Sequence, residues 1–196
     1  MNALGARLGG RFEIDEWGYD DGLATLVDPV LGLLLRVEAE GFDTLPAEGP
    51  VLLVANRRLG LAEPAVLARA VRRDAGRGLR FLGIPDVAPV GPALRRLGGA
   101  VERPEELAGL LRAGYVVAVF AARMWARGRV GAIPPELLAP ASRLGVPAWP
   151  VALVGGELSG RWRVAAAAPA PAAAATVHER LEALLDRLAP ARWLLG

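Results

Sequence analysis

Short apolar runs, each separated from the next by a stretch with the marks of a helix, constrain this chain more than any other feature. Residues 51–55 (VLLVA), 79–82 (LRFL), 115–120 (YVVAVF) and 150–154 (PVALV) read as strands. A strand covered on both faces needs apolar side chains at successive positions rather than at alternate ones. The intervening segments 63–73, 104–112 and 135–144 place Pro64, Pro104 or Pro135 at the start, with Glu nearby. They close on arginines or on Gly114 and Gly145, which suit helix C-termini. Strands alternating with helices of this length predict an α/β fold: a single domain with a largely parallel central sheet flanked by helices.

Other segments complete the plan. Residues 1–22 form a lead-in that ends acidic and turn-rich, and residues 23–35 read as a helix that Pro29 bends or divides. Residues 36–40 and 161–166 read as strands and 41–50 as a loop. The domain thus spans 23–164. Residues 165–175, rich in Ala with Pro169 and Pro171, read as a linker to a C-terminal amphipathic helix and tail over 176–196. There Thr176 and Glu179 have capping-box spacing, and Val177, Leu181, Leu184, Leu185 and Leu188 make one apolar stripe. The tail, with Trp193, Leu194 and Leu195, is apolar enough to dock on the domain or touch a membrane; docking is the expected outcome.

The inventory of reactive side chains is poor. Among 196 residues there is no Cys, no Lys and one His, with Ser only at 142 and 159. This excludes thiolate and Schiff-base chemistry and leaves no basis for a metal site. Ser142 and Ser159 lack a nucleophile-elbow context, and His178, beside Glu179 and Arg180, reads as a solvated helix-start residue. The 23 basic residues, all Arg, face 21 acidic ones and are interspersed with them, so no basic patch points to nucleic acid. No apolar stretch reaches the ~20 residues of a membrane span, and the N-terminus lacks a signal-peptide core. The expectation is a cytoplasmic protein that can also lie peripherally on a membrane.

The order of several landmarks resembles the glycerolipid acyltransferase family, which includes the 1-acylglycerol-3-phosphate acyltransferases. The segment GFDTLPAEGP at 41–50 running into VLLVAN is similar to the family's entry strand. Arg36-Val37-Glu38, with EWGYD at 16–20 upstream, resembles a bacterial branch. The likeness continues through LRFL at 79–82, PVGP at 89–92, LRRLGG at 94–99 and GVPAWPVALVG at 145–155, so it covers about residues 13–157.

The resemblance implies where a site belongs, and four of the family's blocks can be compared there. The first is Asn-His followed by Asp, with His as general base on the acceptor hydroxyl. Here Asn56 remains, Arg57 stands at the His position and Ala62 at the Asp position, with Glu63 and Pro64 beside it. A guanidinium does not give up its proton, so Arg57 cannot act as that base. The second block keeps Gly98-Gly99 and Arg103; Arg103 reads equally as a contact to acceptor phosphate and as a solvated residue at a helix start. The third, Phe-Pro-Glu-Gly-Thr-Arg in relatives, is FAARMW here, so only Phe120 matches and Ala122 stands at the Glu position. The fourth survives as Val146-Pro147 and Pro150-Val151 and is mainly structural.

The resemblance therefore implies an acyltransferase-like protein with its catalytic motif lost. It would bind a lipid, an acyl donor or a protein partner, such as an active relative paired through the terminal helix. Arg57, Arg58, Arg103 and Arg123 are candidate anion contacts. Phe120, Trp125 and Trp149 are candidates for an acyl groove, although tryptophans, here including Trp162 and Trp193, more often pack a core. The alternative is a working acyltransferase with an altered mechanism, using acyl-CoA or acyl carrier protein as donor.

Overall fold

A computed structural model describes residues 14–57, 62–122, 130–156 and 159–188. In chain order its elements are α1 (Asp21–Leu34), β1 (Arg36–Glu40), β2 (Val51–Ala55), α2 (Glu63–Ala75), β3 (Leu79–Leu82), α3 (Val90–Arg96) and β4 (Gly99–Ala100). There follow α4 (Pro104–Arg112), β5 (Val116–Phe120), α5 (Pro135–Arg143), β6 (Ala148–Gly155), β7 (Arg161–Ala166) and α6 (Ala174–Leu188). The strands form one 7-stranded sheet in the order β1-β7-β6-β2-β5-β3-β4. The run from β6 to β4 is parallel, and β7 reverses against β6 and pairs in parallel with β1. The expected α/β architecture with a largely parallel sheet is therefore present.

Every residue of β2, β3 and β5 is buried, because helices cover both faces of the sheet. One face packs on α4, α5 and α6 through residues such as Leu107, Leu138 and Leu181. The other packs on α2 through Val66, Leu67, Ala70 and Val71. At ~25 cal/mol per Å² of apolar surface buried, these two layers supply most of the drive to fold.

Some details depart from the sequence reading. Pro29 neither divides nor ends α1, which is continuous and N-capped by Asp20, whose Oδ1 accepts from the Leu23 N–H at 2.8 Å. The proline's missing bond falls on the carbonyl of exposed Thr25, where water can replace it. Helix α3 and strand β4 go beyond the elements read from the sequence. Pro89 and Pro92 fall at the start of α3, where a missing N–H is tolerated. Gly98 then takes φ +98° and lies against the Leu79 carbonyl, a place no side chain could share.

The Ala/Pro stretch meets the sheet at two places. Ala165 lies fully buried in β7, and Ala170 exchanges two backbone hydrogen bonds of 2.8 Å with Ala148. Small side chains let this backbone lie directly on the sheet. Helix α6 starts at Ala174, so Thr176 sits inside the first turn rather than capping it; alanine is the strongest helix former. Its stripe, Val177, Leu181, Leu184, Leu185 and Leu188, is buried against the chain's own sheet, so it is not open for pairing with another chain. The tail from residue 189 lies outside the described residues.

Candidate functional site

The apolar face of β3 is only partly covered by α2. Helix α1 bridges the remaining gap without burying a single residue. Beneath it lies a groove of about 510 Å³, walled by Ala24, Val27 and Leu31 of α1, Ala65 and Ala68 of α2, and Phe81, Ile84 and Leu94 from the β3–α3 side. The groove follows β3 from Leu79 to Gly83, a span of about 13 Å at 3.3 Å per residue. Small residues on the helices and large ones on the strand leave it open.

Arg57 stands at one end of this groove, just past the carboxyl end of β2, the edge where parallel sheets place their ligands. Its guanidinium carbon lies 5.4 Å from the centroid of the Phe120 ring. Its Nε is buried and has no hydrogen-bond partner among the described residues. A buried charged donor without a partner is costly, so an acceptor supplied by a ligand would be stabilising here. Gly83, with φ +105°, makes room: a Cβ there would lie 3.2 Å from Arg57 Nη2. The same point is 3.4 Å from Glu102 Oε2, so an exposed carboxylate borders the cationic end.

The other sequence-selected residues divide between scaffold and rim. Asn56 is buried and locks β2 to β6: its Nδ2 donates to the Leu153 carbonyl at 3.0 Å and its Oδ1 accepts from the Leu153 N–H at 2.7 Å. Ala62 is the N-cap of α2, and Glu63 begins that helix fully buried. Arg103 is exposed, pairs with Asp86 at 3.6 Å and does not line the groove. Phe120 and Trp149 do not line it either. Both are core residues under α2, and Phe120 contributes only as the ring on which Arg57 rests. Trp162 is likewise core. Arg58, Arg123, Trp125 and Trp193 lie outside the described residues. His178 is half-buried rather than solvated, with Nε2 3.3 Å from the Val130 carbonyl.

Sequence reasoning missed the groove walls because they come from α1, α2, β3 and α3, and no local pattern links them. It also missed what holds α1 in place. Arg69 Nη1 donates to the Asp28 carboxylate at 2.9 Å and to the Asp28 carbonyl at 3.0 Å. Gly32 permits this approach, since a Cβ there would lie 2.6 Å from Arg69 Nη2. Arg72 donates to Asp21 at 2.7 Å, to the Tyr19 hydroxyl at 2.9 Å and to Thr25 at 3.0 Å. Burial opposes ionisation of Asp21, but hydrogen bonds from Arg72 and Tyr19 outweigh it and hold its carboxyl below the ordinary 3.8. Burial, and then the Asp21 charge, push the Tyr19 phenol well above its usual range.

Before α1 the chain is fixed by a second cluster. The buried Arg80 guanidinium lies between the Tyr19 and Tyr115 rings, 4.6 Å from each centroid, and pairs with Asp15. The Tyr115 hydroxyl donates to the same carboxylate at 2.9 Å. Burial again works against the charge of Asp15, yet N–H donors of Tyr19 and Trp17, Tyr115 and Arg80 together lower its pKa.

The arrangement can hold an apolar chain with an acidic head against Arg57. Among the described side chains lining the groove, the acidic groups are those of Tyr19 and Asp28, and both are bound to arginines.

No family model matches the chain. An alignment over 128 residues, which covers 60% of the chain, is 34% identical to an uncharacterized protein of Mycobacterium leprae and covers 35% of that protein. An uncharacterized protein of Mycobacterium tuberculosis is 30% identical over 128 residues, covering 60% of the chain and 36% of the relative. The match thus spans about a third of the length of these curated relatives. Among solved structures, the 1-acyl-sn-glycerophosphate acyltransferase PlsC from Thermotoga maritima superposes with a TM-score of 0.63 and 17% identity. The alignment covers 85% of this chain and 78% of PlsC, so the two share a fold.

Proposed function

We propose that this chain is an acyltransferase-fold protein that binds a single-chain anionic lipid without acylating it. The observation carrying this reading is the apolar groove of about 510 Å³ ending at the unpartnered Nε of Arg57. The groove accepts the chain, and Arg57 offers charge-assisted hydrogen bonds to a phosphate or carboxylate. The fold shared with an acyltransferase for 1-acyl-sn-glycerophosphate makes lysophosphatidate the natural first ligand to test.

Catalysis is unsupported for a chemical reason. A hydroxyl attacking an acyl donor must lose a proton, and a guanidinium in place of imidazole cannot take it. The test is binding of monomeric lysophosphatidate, below its micelle concentration, by calorimetry. Wild-type protein should bind; Ala68→Trp, which fills the groove, should abolish binding, and Arg57→Ala should weaken it about tenfold or more. Equal binding by all three would sink the reading.

Glu102 beside Arg57 favours a second reading, an acyltransferase with a relocated base. Purified protein that moves an acyl group from acyl-CoA or acyl carrier protein to lysophosphatidate, and loses this on Glu102→Gln, would establish it.

A further inference from the structure

Arg57 stands at the carboxyl edge of the sheet; a second cavity lies at the opposite edge, by the amino ends of β3 and β5. Its volume is about 240 Å³, and its lining includes Tyr19, Asp21, Arg77, Arg80 and Tyr115. That is room for about eight waters at ~30 Å³ each, or for a small organic ion of similar bulk. Asp21 is exposed, and Arg77 and Tyr115 are half-buried, so the cavity is within reach of solvent.

Arg80 gives the cavity its appetite for an acceptor. The residue is 1% exposed, and its guanidinium lies between the rings of Tyr19 and Tyr115. With a ring on each face, it can donate only along the edge of its plane. Asp15 takes one of those donors, Nη2, through Oδ2. The other carboxylate oxygen does not complete the fork, because Oδ1 already accepts from the Trp17 and Tyr19 N–H groups at 2.9 Å each. Arg80 Nε is thus buried with no hydrogen-bond partner among the described residues. A buried charged donor in that state is costly, and a ligand oxygen would recover the loss.

Arg77 supplies the charge. Its guanidinium donates to the carbonyls of Pro46, Gly49 and Gly114 at 2.8, 2.7 and 2.8 Å. It makes no ion pair among the described residues. Burial holds its pKa below the ordinary arginine value, with the Glu48 charge opposing. Asp15 balances Arg80 and Asp21 balances Arg72, so Arg77 leaves one positive charge over at this edge. A monoanion matches that charge, whereas a dianion would also meet the Asp21 carboxylate. The tyrosine rings add apolar surface, which suits a carboxylate on a short apolar body better than a strongly hydrated phosphate.

We infer that this cavity is a second binding site, for a small monocarboxylate with an apolar body, held by Arg77 and by the open edge of Arg80. Tyr19 lines this cavity and the groove, so the two share a wall. The site does not rest on the lipid ligand proposed for the groove.

The experiment titrates benzoate into the full chain, followed by calorimetry and by the NMR signals of the arginine Nε–H groups. The Arg80 signal is identified by its contacts with the Tyr19 and Tyr115 rings, and it should move as benzoate saturates the protein. Binding should fall with salt. Arg77→Gln should weaken it about tenfold or more. Asp21→Asn removes a neighbouring negative charge and should strengthen it about two- to fivefold. Arg57→Ala and Ala68→Trp, which alter the groove, should leave benzoate binding unchanged, and Arg77→Gln should leave lysophosphatidate binding unchanged. Absence of saturable binding, a stationary Arg80 signal in the wild-type protein, or loss of benzoate binding on Arg57→Ala would refute the site. Tighter binding of inorganic phosphate than of benzoate would refute the carboxylate assignment. Failure of lysophosphatidate binding with benzoate binding intact would refute the groove reading alone.

Discussion

Helices α1 and α6 carry the same kind of amphipathic pattern and are nearly equal in length, 14 and 15 residues, yet they do opposite things. Helix α6 buries Val177, Leu181, Leu184, Leu185 and Leu188 against the sheet. Helix α1 buries none of its residues and is held by arginines of α2 while it bridges a cavity. Periodicity shows that a helix has an apolar face; it does not say whether that face meets a core, a cavity or a surface outside the molecule. The energetics differ accordingly. Removing packed atoms from α6 opens a void, whereas α1 already lies beside one.

The contrast can be broken most directly by truncation. Leu181→Ala should cost about 2–5 kcal/mol in urea unfolding, and Leu33→Ala less than about 0.5 kcal/mol. Comparable losses would mean that α1 packs as tightly as α6. Acid should sharpen the distinction at smaller amplitude. Asp15 and Asp21 both have folded-state pKa values below the ordinary 3.8, so their stabilisation is present above that pH. It is lost as pH falls through the lowered values, when the folded state must take up protons. Amide exchange in α1 should therefore accelerate below about pH 4 more than exchange in α6, which those two carboxylates do not hold. A modest effect is expected from Asp28→Asn. The Arg69–Asp28 pair is partly exposed on both sides, so its loss should cost about 0.5–1 kcal/mol and loosen α1 in exchange measurements without shifting α6.

Much of the fold was legible because its strands are covered on both faces. VLLVA at 51–55 and LRFL at 79–82 coincide with the expected strands, since short continuous apolar runs suit a sheet interior. The site was legible in part. The resemblance to the acyltransferase family directed attention to Arg57, and the structure sets it at the end of the groove. Asn56, though, proves to be a β2–β6 clamp, and Phe120 and Trp149 belong to the core. The walls of the groove could not be read because Val27, Ala68 and Phe81 are distant in sequence and unremarkable singly. In the alanine-rich stretch, the same small side chains that suit a linker also allow backbone to pack on backbone at Ala170.

By itself, then, the sequence determined the α/β alternation and the absence of an imidazole at position 57, because both depend on local residue identity. Tertiary structure alone decided that α1 spans a groove and that Arg57 closes one end of it. Those relations come from segments brought together by the burial of other residues. Local periodicity cannot encode a gap between a helix and a sheet, since a gap is a property of what neighbouring side chains fail to fill.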